Sequence, residues 1–287
     1  MRIVNFSKDG VPTLAVRSGR RLVDLSVAAP DLPRDLKGLL AGGKRAMSKA
    51  SAAAEDAGGK ASVKEAGISF LPPVHNPSKV ICFGLNYRDH ALETNNPIPK
   101  YPVVFARWSN TLVGHGQPML RPKESEQLDY EAELAVIIGK TTRRVGKRGA
   151  LACVAGYSCF NDGSVRDYQR KSGQFTMGKN FDCTGGFGPE FVSADEVPPG
   201  ADGLAIKCRL NGKVVQNSKT DQHIFKVPDA VSIVSEVLTL EPGDVIIMGT
   251  PSGVGAARKP PLWMKHGDTC EIEIEGIGKL VNPVKNG

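Results

Sequence analysis

The sequence predicts an α+β chain that is mostly β: a small N-terminal α+β domain ahead of a larger, mixed or antiparallel β-structure closed on itself. Three observations carry this. Glycine (32) and proline (20) are abundant among 287 residues, which favours many short strands joined by turns over a helical bundle. Apolar and alternating segments begin at residue 79 and recur almost to the C-terminus. Few stretches between them carry helical periodicity.

The N-terminal elements come first. "RIVNF" (2–6), a "KDG" turn, "TLAV" (13–16) and "RLVDLS" (21–26) read as short strands. "LPRDLKGLLAGG" (32–43) and the alanine-rich "KRAMSKASAAAEDAGG" (44–59) read as helices closed by glycines. "FLPPVHNPSK" (70–79) holds three prolines in ten residues and marks a boundary. The division is therefore 1–72 and 73–287.

In the second segment, "KVICFGL", "YPVVFAR", "LDYEAELAVIIGK", "VAGYSCFND", "DVIIMGTP" and "TCEIEIEGIGKLVNPV" are strand candidates. "AIKCRLNGKVVQN" places Asn211-Gly212 between two strands, a strong hairpin signal. Helices are expected at 164–171, opened by Ser164 with Asp167 three residues on, and at 228–239.

Composition narrows the function classes. The net charge is +7, yet no basic stretch is dense, and the richest, "TTRRVGKR" (141–148), reads as a solvated loop and helix start. A nucleic-acid partner is therefore not expected, while a positive field suits small anionic acids. Six cysteines form no CxxC pair, which argues against a disulfide framework or a zinc site. "MRIVNFSKDG" lacks the apolar core of a secretory signal, and no apolar run approaches the ~18–20 residues that span a bilayer. The expectation is a reduced, cytoplasmic protein without a membrane partner.

Five stretches could carry chemistry. In "DYEAELAVIIG" the side chains of Glu131 and Glu133 share one strand face, with Ala132, Leu134 and Val136 on the other. Two adjacent carboxylates repel, and a divalent cation would neutralise them; oxygen ligands select a hard ion such as Mg²⁺ or Mn²⁺. A solvated acidic face explains the same pattern. In "YSCFNDGSVRDYQ", Asp162 ends an apolar strand before a turn, either as a ligand or as a simple strand stop, and Arg166 and Gln169 would share a helix face. In "MGKNFDCTGGFGP", Lys179 precedes a glycine-rich loop and could hold a carboxylate or stabilise an enolate, or lie on the surface. In "EPGDVIIMGTPSGVG", Gly249-Thr250-Pro251 ends a strand and offers N–H groups and a hydroxyl to an anion, or is merely a tight turn; it lacks the phosphate-loop pattern of nucleotide enzymes. A fifth stretch, "LNYRDHALETN", spaces His90 and Glu93 so that a helix would place them on one face. That pairing suits a general base with an orienting carboxylate, or an incidental surface histidine. Arg107 and Tyr168 could line a substrate pocket, while His75, His115, His223 and His266 have no evident partner.

The motifs "GLNYRDHALE", "LDYEAELAVIIG", "NDGSVRDYQ", "GKNFDCTGGFGP" and "LEPGDVIIMGTPSGVG", in this order over roughly residues 78–284, resemble the fumarylacetoacetate hydrolase family. The resemblance implies a mixed β-roll or distorted-barrel core behind a small N-terminal domain, and a homodimer. It implies metal binding by Glu131, Glu133 and Asp162, with Mg²⁺ expected and Mn²⁺ as the alternative. Lys179 maps to the family lysine. Thr250, with Gly249, maps to the loop that meets a substrate carboxylate, and Arg166 and Gln169 are further substrate-binding candidates. His90 and Glu93 map to a pair on a lid, with His90 as base and Glu93 orienting it. The implied activity is metal-dependent C–C hydrolysis of an acylpyruvate-type 2,4-dioxo acid. The alternative is decarboxylation or isomerisation of an oxaloacetate-like or 2-hydroxymuconate-like acid at the same site.

Overall fold

The computed structural model describes residues 1–287. The expected class holds: the chain is mostly β, α+β, with mixed sheets. The main sheet has twelve strands. Ten of them run in the order Ser62–Val63, Arg21–Asp24, Val11–Ser18, Arg2–Lys8, Gly185–Ser193, Val154–Asp162, Ala132–Ile138, Val245–Ile247, Val80–Gly84 and Val103–Arg107, while Ser69–Phe70 pairs with Arg2–Lys8 and Leu112–Val113 with Gly185–Ser193 off this path. Both ends of this path are free, so the expected closure into a barrel does not occur. A second sheet of five strands runs Lys213–Lys219, Ala205–Leu210, Thr269–Ile274, Gly278–Asn286 and Met119–Arg121.

Period-2 alternation explains how these layers meet. Ala132, Leu134, Val136 and Ile138 join a core cluster with Ile206, Cys208, Ile272 and Leu280 of the five-stranded sheet. Ala135 and Ile137 point the other way. They join a cluster with Leu36, Leu39 and Leu40 of the helix Leu36–Ala41 and with Ala50 and Ala54 of the helix Gly43–Asp56. The central strand is thus buried on both faces, between a sheet and the N-terminal helices.

Two local expectations change. Ser164 does not open a helix: Ser164–Val165 pairs as a short strand with Leu128–Asp129, and the following helix is only Arg166–Gln169. The Ser164 hydroxyl donates to the Asp162 carbonyl instead of capping. Gly185–Ser193, whose glycines and proline read as loop, is a nine-residue strand that joins Arg2–Lys8 to Val154–Asp162. Its first two residues leave no room for a side chain: a Cβ on Gly186 would sit 2.6 Å from Asn282 Oδ1. The Asn211-Gly212 hairpin forms as expected, with φ of 52° and 76° at the turn.

Candidate active site

The site is built where the central strands end. Glu131 and Glu133 flank Ala132 at the start of Ala132–Ile138, and Asp162 is the last residue of the antiparallel neighbour Val154–Asp162. One carboxylate oxygen from each lies within 4.8 Å of the others, and all three residues are buried. Alternation and strand pairing alone bring them together.

Cations compensate them unevenly. Lys179 Nζ donates to Glu131 Oε2 at 2.6 Å and to Asp162 Oδ2 at 2.5 Å. Arg107 Nη1 donates to Asp162 Oδ1 at 2.6 Å. Arg166 Nη2 lies 2.6 Å from Glu131 Oε1, an ion pair without hydrogen-bond alignment, while its Nε donates to Asp129 Oδ2 at 2.8 Å. Glu133 forms no ion pair, and its recorded hydrogen bond comes from the Gly249 N–H at 2.6 Å. Electrostatics follow the geometry. Burial would raise the Glu131 carboxyl, but Arg166 and Lys179 outweigh it and hold it below the usual range. Burial, reinforced by Asp162 and Glu131, pushes the Glu133 carboxyl well up. Burial would lower Lys179, yet Asp162 and Glu131 raise it.

Three buried carboxylates, one without a counter-charge, fit a hard divalent cation, because oxygen donors at this separation match its preference. Glu131, Glu133 and Asp162 could hold it.

Above the triad lies a cavity of about 400 Å³. His90, Arg166, Gln169, Lys179 and Thr250 line it, with Phe83, Phe105 and Phe175 as apolar wall. Arg166 and Gln169 are brought together as expected, 2.9 Å apart through Nη1 and Oε1. Gly249 is absent from the wall, its N–H committed to Glu133 below. His90 and Glu93 share the helix Arg88–Glu93, with His90 Nδ1 3.4 Å from Glu93 Oε2. This helix grips the loop that follows Thr250. Asp89 Oδ2 accepts from the Ser252 hydroxyl at 2.8 Å, and Glu93 Oε1 accepts from the Gly253 N–H at 2.9 Å.

Sequence reasoning missed Asp129, Gln216 and the place of Arg107. Asp129 is fully buried and accepts from Arg166 and from the Gly255 and Ala256 N–H groups, so it aims the guanidinium. Arg107 lies behind Asp162 rather than in the cavity wall. An acidic residue two positions before Glu131, in a strand otherwise rich in apolar residues, was the one available signal for Asp129.

The fold and a cavity floored by acidic residues and walled by cations define an enzyme of small organic acids. The family model for the C-terminal domain of fumarylacetoacetate (FAA) hydrolase matches residues 79–285, and the chain belongs to the fumarylacetoacetate hydrolase family. A mitochondrial oxaloacetate tautomerase of Xenopus laevis is 39% identical over 290 residues, covering 99% of this chain and 90% of its own. Fumarylacetoacetate hydrolase from psychrophilic Exiguobacterium antarcticum superposes with a TM-score of 0.86 at 34% identity, covering 100% of both chains. Maleylpyruvate hydrolase from Sphingobium sp. SYK-6, in complex with manganese(II) ion and pyruvate, does so at 0.81 and 27%, again over 100% of both. No helix is long and apolar enough to cross a membrane.

Proposed function

We propose that this protein tautomerises a small 2-oxo dicarboxylic acid of the oxaloacetate type, keto to enol and back, with Mg²⁺ or Mn²⁺ held by Glu131, Glu133 and Asp162. The observation that carries the reading is His90 set over a small, cation-walled cavity with its Nδ1 against Glu93. The full-length likeness to an oxaloacetate tautomerase supports it.

A bound divalent ion would polarise the 2-oxo group and make the adjoining C–H more acidic. The rest falls to side chains. Glu93 at Nδ1 fixes the imidazole tautomer and leaves Nε2 to take a proton from C3. The same nitrogen returns it to carbon or lets it pass to oxygen, so no water is consumed. Arg166, aimed by Asp129, and Gln169 hold the distal carboxylate. Lys179 keeps positive charge close to the developing enolate oxygen. Thr250 donates to the carboxylate next to the 2-oxo group.

Hydrolysis of an acylpyruvate is the second reading. The same His90 would then activate a water, and the likeness to maleylpyruvate hydrolase favours it. We also propose a homodimer, and a reducing, cytoplasmic location in keeping with six unpaired cysteines.

The test runs wild type and His90→Ala with Mg²⁺, then with a chelator. It follows enol loss and CO₂ release from oxaloacetate, and pyruvate release from acetylpyruvate and fumarylpyruvate. Tautomerisation above the uncatalysed rate, lost with chelator and with the histidine, supports the first reading. Acid plus pyruvate as the main turnover moves the protein to the hydrolases. Turnover of none of these sinks both.

A further inference from the structure

Gln216 lies on the strand Lys213–Lys219 of the five-stranded sheet, 1% exposed, and reaches into the catalytic sheet. Its Oε1 accepts from the Ala132 N–H at 2.9 Å, the peptide between Glu131 and Glu133. Its Nε2 donates to the Pro251 carbonyl at 2.9 Å and to Thr250 Oγ1 at 2.8 Å. The amide orientation is fixed by its neighbours. A peptide N–H can only donate and a prolyl carbonyl can only accept, so oxygen must face Ala132 and nitrogen must face Pro251. Thr250 Oγ1 therefore receives a hydrogen bond. Its own hydrogen has no protein acceptor, and the residue lines the cavity.

We propose that Gln216 is a positioning residue that makes the Thr250 hydroxyl a dedicated donor to the anionic end of the substrate. An isolated threonine hydroxyl donates or accepts as its neighbours dictate. Here the accepting role is already filled from below, so the free hydrogen faces the ligand. The site thereby favours a carboxylate over a neutral isostere, since a hydrogen bond to a charged group is the stronger kind. The same amide ties Thr250 to the peptide that carries both glutamates. The inference rests on the reading of the cavity as an organic-acid site, not on which reaction follows.

The test measures binding of pyruvate and of its neutral amide, pyruvamide, to Mg²⁺-loaded protein by calorimetry. The variants are Gln216→Glu, Thr250→Val, Thr250→Ser and the Gln216→Glu/Thr250→Val double. Gln216→Glu should weaken pyruvate about tenfold or more, and pyruvamide much less. Thr250→Ser should retain the preference, and Thr250→Val should lose it. In the Thr250→Val background, Gln216→Glu should cost clearly less further discrimination than in wild type, the remainder being repulsion of pyruvate by the added carboxylate, because the shared hydroxyl contact is already gone. A purely structural glutamine would weaken both ligands alike and add its effect to that of Thr250→Val, which would overturn the assignment. So would a wild type that does not bind pyruvate. Pyruvate binding with this pattern but no turnover of any acid in the panel would sink the proposed reaction and leave Gln216 in its role.

Discussion

Arg107 Nη1 donates to Asp162 Oδ1 across 2.6 Å, and neither side chain has any exposure. The guanidinium also holds the Gly163 carbonyl and the Thr184 hydroxyl, so it fixes the strand end on which Asp162 sits. Arg107→Met strips a buried carboxylate of one partner, a change that costs about 3–5 kcal/mol in buried pairs. Chemical denaturation with chelator present should show that loss. Saturating Mg²⁺ should recover part of it, because a bound cation supplies compensation and stabilises by mass action. A loss below about 1 kcal/mol in chelator would mean that Lys179 alone satisfies Asp162.

His90 and Glu93 belong to the helix Arg88–Glu93 rather than to the carboxylate cluster, so the proposed base function and metal affinity should separate. His90→Ala should lower kcat about 100- to 10,000-fold, the usual range for a lost general base. Mg²⁺ affinity by calorimetry should hold within about twofold, since no carboxylate of the triad hydrogen-bonds to His90. Matching losses in metal affinity and turnover would assign His90 to the metal site instead.

Local rules made the members of the triad legible one by one, and the family resemblance joined them into one set. Strand alternation puts Glu131 beside Glu133, and the end of an apolar run marks Asp162. The residues that hold these groups were not legible, because their partners lie far along the chain. Asp129 meets Arg166 37 positions on, Arg107 meets Asp162 55 positions on, and Ala132 meets Gln216 84 positions on. Sequence pattern carries no term for such pairings. The strand Gly185–Ser193 was hidden for another reason: its glycines answer to the close approach of Arg107 and Asn282, not to strand propensity. Openness of the main sheet was equally invisible, because it depends on which strands lie at the edges.

Gly249 has a φ of 91°, and a Cβ there would lie 2.8 Å from Asn86 Cβ and 2.9 Å from the Phe83 carbonyl. Asn86 anchors the start of the helix Arg88–Glu93 by donating to the Met248 and Phe225 carbonyls. Gly249→Ala combines backbone strain of about 1–3 kcal/mol with a push on that anchor. Thermal melting should show destabilisation, and KM for the acid substrate should rise as Thr250 shifts. An unchanged melting temperature would show that the loop relaxes without consequence.

His223 sets a pH dependence. It is buried against Tyr87 with ring centroids 4.5 Å apart, and its Nε2 has no partner. Burial, aided by Lys226, lowers it from 6.5 to about 3, so the folded protein keeps it neutral. Below 6.5 the unfolded chain takes up a proton that the folded chain refuses. Stability therefore falls as pH drops through that window and levels off near the folded value. Between pH 7 and pH 5 the loss from this group should be about 2 kcal/mol, at 1.36 kcal/mol per pH unit below the unfolded value. Burial lowers His75 and His115 as well, so the comparison with a His223 variant is what isolates this residue. Denaturant unfolding at the two pH values, on wild type and on His223→Gln, checks it. The variant should lose distinctly less stability than wild type on acidification, whatever its stability at neutral pH. Parallel losses in both proteins would show that His223 is protonated without penalty in the fold and that other groups set the acid limit.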